Sequence, residues 1–553
     1  MRLRLSFLLL LSLEACFLFL LWDLQVVHGA GYWETARRSR VEAETVPAAR
    51  GKLLDRTGAV LARDETVWTA RLPERPNPDA LLRLKALCRE ERTEWDGASP
   101  IEAVSPRLLA RIRAEDISGV TFVPAVRRSD SGTLAPQVLG RVGKMDAAEW
   151  SMRKEQGYAM DALVGRDGAE AAFEDLLHGT PGRRITERDR DGRIIGVSWE
   201  TLPQPGKDVT LTLDRALQQT AREALCRFLD LHPRAAGAAA VVLDVSDGGV
   251  LAMVSLPDYD PAIFPRTYPQ LSSDPSAPLL NRAVQGLYAP GSVIQLVTAA
   301  AALEEGVLTP RTKILDTGRY TYYASPQPQC WLYRQQRRTH GLETVSQAIT
   351  DSCNVFFYDA GRRTGIQALN RWAARLGLGT VSGIELPSER AGMPAGPETS
   401  RRLGAQWYEG SVLSAAIGQE NNRFTPLQLA RMTAILAGDG QCPPIHLLKD
   451  PAPPRRPTDR VPLSAGTLAA IREGMRGVTE TGSLAASFRR LPAQAGAKTG
   501  SAQVAGAERS NAVLVAFAPF DNPRVALALV AEQGGSGAEL GEAAAQILQK
   551  ALS

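Results

Sequence analysis

The run from Leu5 to Trp22 constrains this chain more than any later segment, because it is apolar apart from Ser6, Ser12 and a single charged residue, Glu14. Inside a hydrocarbon layer no water can satisfy backbone N–H and C=O groups, so such a run has one stable form, the α-helix. At ~1.5 Å per residue it is long enough to cross a core of ~30 Å. Arg2 and Arg4 precede it, which keeps residues 1–4 as a cytoplasmic tail. The run is long for the apolar part of a cleaved signal, and His28-Gly29-Ala30-Gly31 is a poor small-x-small site, so an uncleaved anchor over residues 5–22 is the better reading. The rest of the chain is then expected on the extracytoplasmic side. Glu14 costs roughly 2.5–3.5 kcal/mol in mid-membrane on insertion scales, unless it is protonated or paired with another membrane helix.

Beyond the anchor, 553 residues with 44% hydrophobic and 22% charged composition describe a folded protein of two or more domains. The net charge is +4, with 64 basic and 60 acidic residues and no lysine-arginine run or interleaved aromatics, which argues against nucleic acid as a partner. Cys16 lies in the anchor, and Cys88, Cys226, Cys330, Cys353 and Cys442 show no C-x-x-C spacing. No metal site is expected from that spacing.

From Asp23 to about Pro205 the chain is charge-rich, without a cluster of catalytic residue types. Within it, Arg50 to Ala62 has a hairpin signature turning at Thr57-Gly58. Val209 to Leu213 predicts a strand, Asp214 the cap of a helix to about Leu231, and Ala238 to Val245 with Gly249 to Val254 a hairpin across Asp247-Gly248. A helical middle to about Gly482 follows, interrupted by glycines and by the Pro451 to Pro457 loop. Lys498 to Val504, Asn511 to Phe517 and Arg524 to Ala531 predict three late strands, before a helix from about Gly537 to Leu552. Two early and three late strands around helices point to one antiparallel sheet flanked by helices, an α+β arrangement in which distant segments share a cleft.

In that middle, Tyr288-Ala289-Pro290-Gly291-Ser292-Val293-Ile294-Gln295 opens an apolar segment from Ser292 to Glu305, which predicts a buried helix with Ser292 in its first turn. The positive end of the helix dipole and free N–H groups there favour an oxyanion. Position 295 lies on the same face as Ser292. A serine nucleophile needs a base at such a place, and a carboxamide cannot take a proton near neutral pH.

Ser352-Cys353-Asn354 and Lys498-Thr499-Gly500-Ser501 complete an ordered set: serine helix, Ser-x-Asn, Lys-Thr-Gly strand. With the flanking Asn281-Arg282-Ala283, His340-Gly341, Gly418-Gln419, Thr425 to Ala430 and Ala502-Gln503, the set resembles that of penicillin-binding proteins, whose first motif is S-x-x-K. Arg50-Gly51, Asp55 to Gly58 and the Gly165 to Gly179 block resemble the pedestal of class B penicillin-binding proteins, so the likeness spans nearly the whole chain. It departs at Gly168-Ala169-Glu170, at Ser501 and above all at Gln295, where the family carries its catalytic lysine.

The resemblance implies a pedestal, dimerisation-like domain over 23–205 and a penicillin-binding, serine β-lactamase-like transpeptidase domain over 206–553 with a five-stranded sheet. It also implies that Ser292 attacks the D-alanyl-D-alanine bond of a peptidoglycan stem peptide and that a neighbouring amine resolves the acyl-enzyme, without cofactor. Ser352 and Lys498 would join it in catalysis. Asn354, Thr499, Gly500 and Ser501 would bind substrate, Lys498 and Thr499 through its carboxylate, with the Ser292 and Ser501 amides as oxyanion hole. Implied ligands and partners are stem peptides, β-lactams, and a glycosyltransferase or other wall-synthesis membrane protein. Two functions follow: a D,D-transpeptidase impaired by Gln295, or a silent relative kept as a binding or scaffold subunit.

Overall fold

The computed structural model describes residues 2–553 apart from 33–40, 74–75, 92, 94, 98–99, 118, 131, 161, 190–192, 326, 451–458 and 505; the loop expected over Pro451 to Pro457 lies outside the described residues. The chain packs into two compact units, each built from separated stretches. One comprises 1–51, 144–163 and 175–207, the other 52–143, 164–174 and 208–553.

In the first unit the anchor is helical over Arg2–Trp22, and its apolar stretch Ser6–Val27 is long enough to cross a membrane. Phe7, Leu10, Phe17 and Phe19 are all exposed. One N-terminal apolar helix of this kind fits single-pass anchoring. A three-stranded antiparallel sheet runs in the order Val41–Val46, Gly182–Arg188, Ile194–Thr201. Its surface pairs Arg184–Glu44 and Arg188–Glu42 are solvent-exposed and add little stability.

The second unit contains the expected early hairpin, Leu53–Leu54 against Val60–Arg71. Asp55 forms its turn: one carboxylate oxygen accepts from the backbone N–H of Thr57 and Ala59, each at 2.8 Å, and from the Thr57 hydroxyl at 2.7 Å. These bonds hold the Asp55 carboxyl below its ordinary range although burial works the other way. Leu53–Leu54 also pairs in parallel with Val209–Leu211, which ties residues 52–143 to the stretch from 208 onward. Compactness therefore divides the chain differently from consecutive limits at 23–205 and 206–553.

The main sheet has five antiparallel strands in the order Val250–Leu256, Gly237–Asp244, Val525–Glu532, Asn511–Ala518, Gly496–Ala502. The first four of these strands are buried on both faces, which is why they read as alanine, valine and leucine rather than alternating; the edge strand Gly496–Ala502 instead carries the polar Lys498-Thr499 and an exposed Ser501. Arg215–Leu231, started by the Asp214 side chain accepting from the N–H groups of Ala216 and Leu217, and Gly541–Leu552 cover one face. Pro426–Ala437 packs on the other. The expected helix from Ser292 begins instead as a 3₁₀ turn, Gly291–Ile294, and becomes α-helical at Gln295–Glu304. Gly291 enters that turn at φ +54, a conformation favouring glycine.

Arg282 clamps the loop ahead of this turn to the sheet. It is 2% exposed, pairs with both Glu532 oxygens at 3.0 and 3.1 Å, and donates to the Ser276 and Ala277 carbonyls; the Tyr288 hydroxyl donates to Glu532 at 2.8 Å. Removing one partner of a buried pair strands the other. Arg282→Met is expected to cost about 3–5 kcal/mol and lower the calorimetric midpoint, whereas Arg282→Met with Glu532→Leu recovers part of the loss. Equal midpoints for single mutant and unmodified chain would contradict this.

Candidate active site

Two stretches of backbone meet at Ser292. A Cβ built on Gly500 would lie 2.4 Å from the Pro290 carbonyl oxygen and 3.3 Å from the Ser292 nitrogen, and one on Gly291 would lie 3.0 Å from the Ser501 nitrogen. A side chain at 500 is therefore excluded, and the strand Gly496–Ala502 lies directly against the 3₁₀ turn. The same contact brings the Ser292 and Ser501 amides to one region, where two N–H donors can serve a developing oxyanion. Alternation along the strand puts Lys498 on the same side as Gly500, toward Ser292.

Ser352 ends the helix Val345–Asp351 at φ +55, an unfavourable conformation for a residue other than glycine and of a kind found at functional sites. It sits at the centre of a hydrogen-bonded chain. The Lys498 ammonium Nζ donates to Ser352 Oγ at 2.9 Å and to the Thr499 carbonyl at 3.3 Å. Ser352 Oγ donates to Gln295 Oε1 at 3.3 Å, and Gln295 Nε2 donates to Asn354 Oδ1 at 3.5 Å. Gln295 is fully buried, its carboxamide bonded at both ends. Among the described residues the Ser292 hydroxyl has no hydrogen-bond partner.

Lys498 is also fully buried. Burial pushes its amine down to about 7, against an opposing pull from Asp351, because a buried ammonium loses its hydration without a hydrogen-bonded carboxylate in exchange. Thr499 is partly exposed, its hydroxyl 3.4 Å from Ser483 Oγ. The Ser501 hydroxyl accepts from the Gly537 N–H at 3.2 Å, and its carbonyl from Gln419 at 3.3 Å. The residues expected to act together are thus gathered at one place, with Lys498 on Ser352 rather than on Ser292.

Sequence spacing gave no sign of a metal site, yet folding brings Asp316, Cys330, His340 and Cys353 together with all four donor atoms within 4.8 Å of one another. His340 Nδ1 lies 2.8 Å from Asp316 and 3.6 Å from Cys330 Sγ. The shared hydrogen bond with Cys353, helped by His340, lowers the Cys330 thiol and raises that of Cys353. Two sulfurs, an imidazole and a carboxylate, almost wholly buried, fit a closed tetrahedral divalent ion of the zinc type. Such an ion would fasten the loop carrying Cys330 to Cys353, between Ser352 and Asn354. The donors come from separate stretches of chain, Asp316 from the end of the strand Ile314–Asp316, so only the tertiary fold reveals them. Elemental analysis of the full-length chain purified without chelator is expected to find about one zinc per chain, lost in Cys330→Ser and Cys353→Ser; a metal-free unmodified chain would refute this.

Residues 238–553 match the penicillin binding protein transpeptidase domain, and residues 45–211 the penicillin-binding protein dimerisation domain. The chain belongs to the class B penicillin-binding proteins. Within that family it is 30% identical to the peptidoglycan D,D-transpeptidase MrdA of Escherichia coli K12, over 99% of this chain and 93% of the relative. It is 31% identical to MrdA of Acinetobacter baumannii, over 94% and 83%. Among solved structures, PBP2 of Helicobacter pylori in complex with MreC has a TM-score of 0.77 at 26% identity, covering 93% of this chain and 98% of that one. A chain of a peptidoglycan synthase complex that coordinates polymerization and crosslinking has a TM-score of 0.77 at 31% identity, covering 99% and 97%. As a class B penicillin-binding protein, the chain therefore carries the motif serines, asparagine and Lys-Thr-Gly strand in one cleft, with glutamine at 295.

Proposed function

We propose that this chain is a peptidoglycan D,D-transpeptidase-like, penicillin-binding protein of bacterial wall synthesis that acts on D-Ala-D-Ala stem peptides through a Ser292 acyl-enzyme, with acylation slowed by Gln295. One observation carries the reading: the carboxamide of Gln295 fills the space between Ser352 and Asn354, while among the described residues the Ser292 hydroxyl has no acceptor for its proton. Ser352 and Lys498 take part in proton transfer, Asn354 and Gly500 line the cleft, Thr499 with Lys498 holds the substrate's carboxylate end, and the Ser292 and Ser501 amides form the oxyanion hole. We assign the pedestal role to 23–205 and the transpeptidase role to 206–553, with residues 5–22 as a single membrane pass and the bulk of the chain outside the cytoplasm. The MreC and synthase-complex assemblies of its relatives support a wall-synthesis membrane protein as partner.

A second reading is a catalytically silent binding or scaffold subunit. The full burial and two-ended bonding of Gln295 favour it, since such a residue is built into the site. Fluorescent penicillin separates the two. The full-length chain in detergent is expected to label slowly and in proportion to time, with no label in Ser292→Ala. Rapid stoichiometric labelling would remove the impairment, and absence of label after prolonged incubation would favour the scaffold.

A further inference from the structure

The proposed slow acylation leaves a question of proton transfer, and the chain through Ser352 answers it. Ser352 Oγ lies 2.9 Å from Lys498 Nζ on one side and 3.3 Å from Gln295 Oε1 on the other. Gln295 is one turn along from Ser292 on the same helix face, and Lys498 projects from the side of the strand whose next same-side residue, Gly500, touches the Ser292 backbone. The Ser352 hydroxyl is thus the polar hydrogen between the serine turn and an amine, that of Lys498. We propose that Lys498 is the proton acceptor for Ser292 in this protein, working through the Ser352 hydroxyl in place of a base at position 295.

The inference rests on the acyl-enzyme reading above and specifies how that site moves its proton. In the resting arrangement the ammonium donates to Ser352. Once deprotonated, the amine accepts the Ser352 hydrogen, and Ser352 Oγ turns to accept the hydrogen of Ser292. As the Ser292 Oγ–carbonyl carbon bond forms, the Ser292 proton passes to Ser352 and the Ser352 proton to Lys498. When the amide or lactam C–N bond breaks, the same path returns a proton to the leaving nitrogen. No other reactant is required, and Gln295 takes no proton; its Oε1 only releases the Ser352 hydrogen that it holds at rest.

The surroundings suit an amine that must lose its charge. Its hydrogen bonds are to neutral oxygens, those of Ser352 and Thr499, and Asp351, on the helix Val345–Asp351, is the charged group that acts on it. Charged groups on the other packed elements are engaged elsewhere: Arg476 with Glu473 and Glu480, Arg472 with Asp439, and Glu539 with Arg509 and His232. An amine held down to about 7 is close to the optimum for a base near neutral pH. A bound carboxylate raises it again, so turnover at saturating ligand shifts to higher pH than the second-order rate.

The test uses the full-length chain in detergent and fluorescent penicillin. The second-order rate of Ser292-dependent labelling is expected to climb about tenfold per pH unit below neutrality, with its bend near 7, where the free amine titrates. Lys498→Arg keeps a cation for the carboxylate but removes the base. It is expected to lower the acylation rate by at least ~10²-fold while penicillin affinity, measured separately in Ser292→Ala chains with and without the change, moves only a few-fold. Ser352→Ala is expected to lower the rate similarly. The unmodified chain's pH profile needs no variant and guards against misfolding of Lys498→Arg. A flat profile, or Lys498→Arg labelling at the unmodified rate, overturns the relay. No label at any pH together with fast labelling of Gln295→Lys also overturns it and leaves the acyl-enzyme site standing, whereas a Gln295→Lys chain that folds but never labels removes the site reading itself.

Discussion

Gln295→Lys is expected to raise the rate of penicillin acylation at Ser292 by about 10²–10⁴-fold, the usual contribution of a positioned general base. The pocket is ready for an amine. Gln295 is fully buried, and its neighbours Ser352 Oγ and Asn354 Oδ1 are oxygens that can accept from a lysine nitrogen. The two side chains have the same number of heavy atoms, and an unbranched lysine reaches one atom further. A second amine close to Lys498 would also discourage both from carrying charge, since like charges oppose each other's ionisation. Lys498 is already lowered by burial, so the pair would hold one proton between them near neutral pH and leave one amine free as base. Stopped-flow labelling with fluorescent penicillin measures the gain, with Ser292→Ala in the same background as the zero. An unchanged rate would mean that proton transfer to residue 295 does not limit this site.

Gly418→Ala is expected to abolish that gain, lowering acylation of the Gln295→Lys chain by about 10²-fold or more through geometry alone. Gly418 has φ +76, and a Cβ there would lie 2.0 Å from the Gly291 carbonyl oxygen, 2.7 Å from its carbon and 2.8 Å from its nitrogen. All three are backbone atoms that cannot swing aside. Gly291 in turn donates its N–H to the Gly418 carbonyl at 3.1 Å and lies against Ser501. A methyl at 418 must therefore push the turn carrying Ser292 out of register with the strand Gly496–Ala502. Gly404→Ala is the control for backbone strain: φ is +68 there, but nothing lies within 4 Å of the new atom. It is expected to cost about 1–2 kcal/mol and leave labelling untouched. Equal labelling by the two variants would show that crowding at the turn is not felt by the nucleophile.

Much of the fold was legible because its signals are local. Four of the five strands are apolar runs bounded by turn residues, and Asp214 announces the helix Arg215–Leu231. The pairing of Leu53–Leu54 with Val209–Leu211 was not legible, since a parallel pair leaves no turn signature and its partners lie far apart. Of the site, Ser292, Ser352, Asn354 and the Lys498 strand were readable as motifs. That Lys498 would bond Ser352 and not Ser292 depends on the left-handed Ser352 backbone and on the registry of strand against turn, which only packing decides. The Asp316, Cys330, His340 and Cys353 cluster escaped for the same reason: no two donors are close enough in sequence to form a recognisable pair.

The position of Val525–Glu532 in the main sheet sets the order in which the protein can come together. It is the last strand to be synthesised, yet it lies third of five, between Gly237–Asp244 and Asn511–Ala518. The early hairpin must wait with an open, apolar edge until almost the whole polypeptide has been delivered, an aggregation hazard for any such β-structure. Chains cut short before this strand have no way to close the sheet or bring Lys498 to its serines.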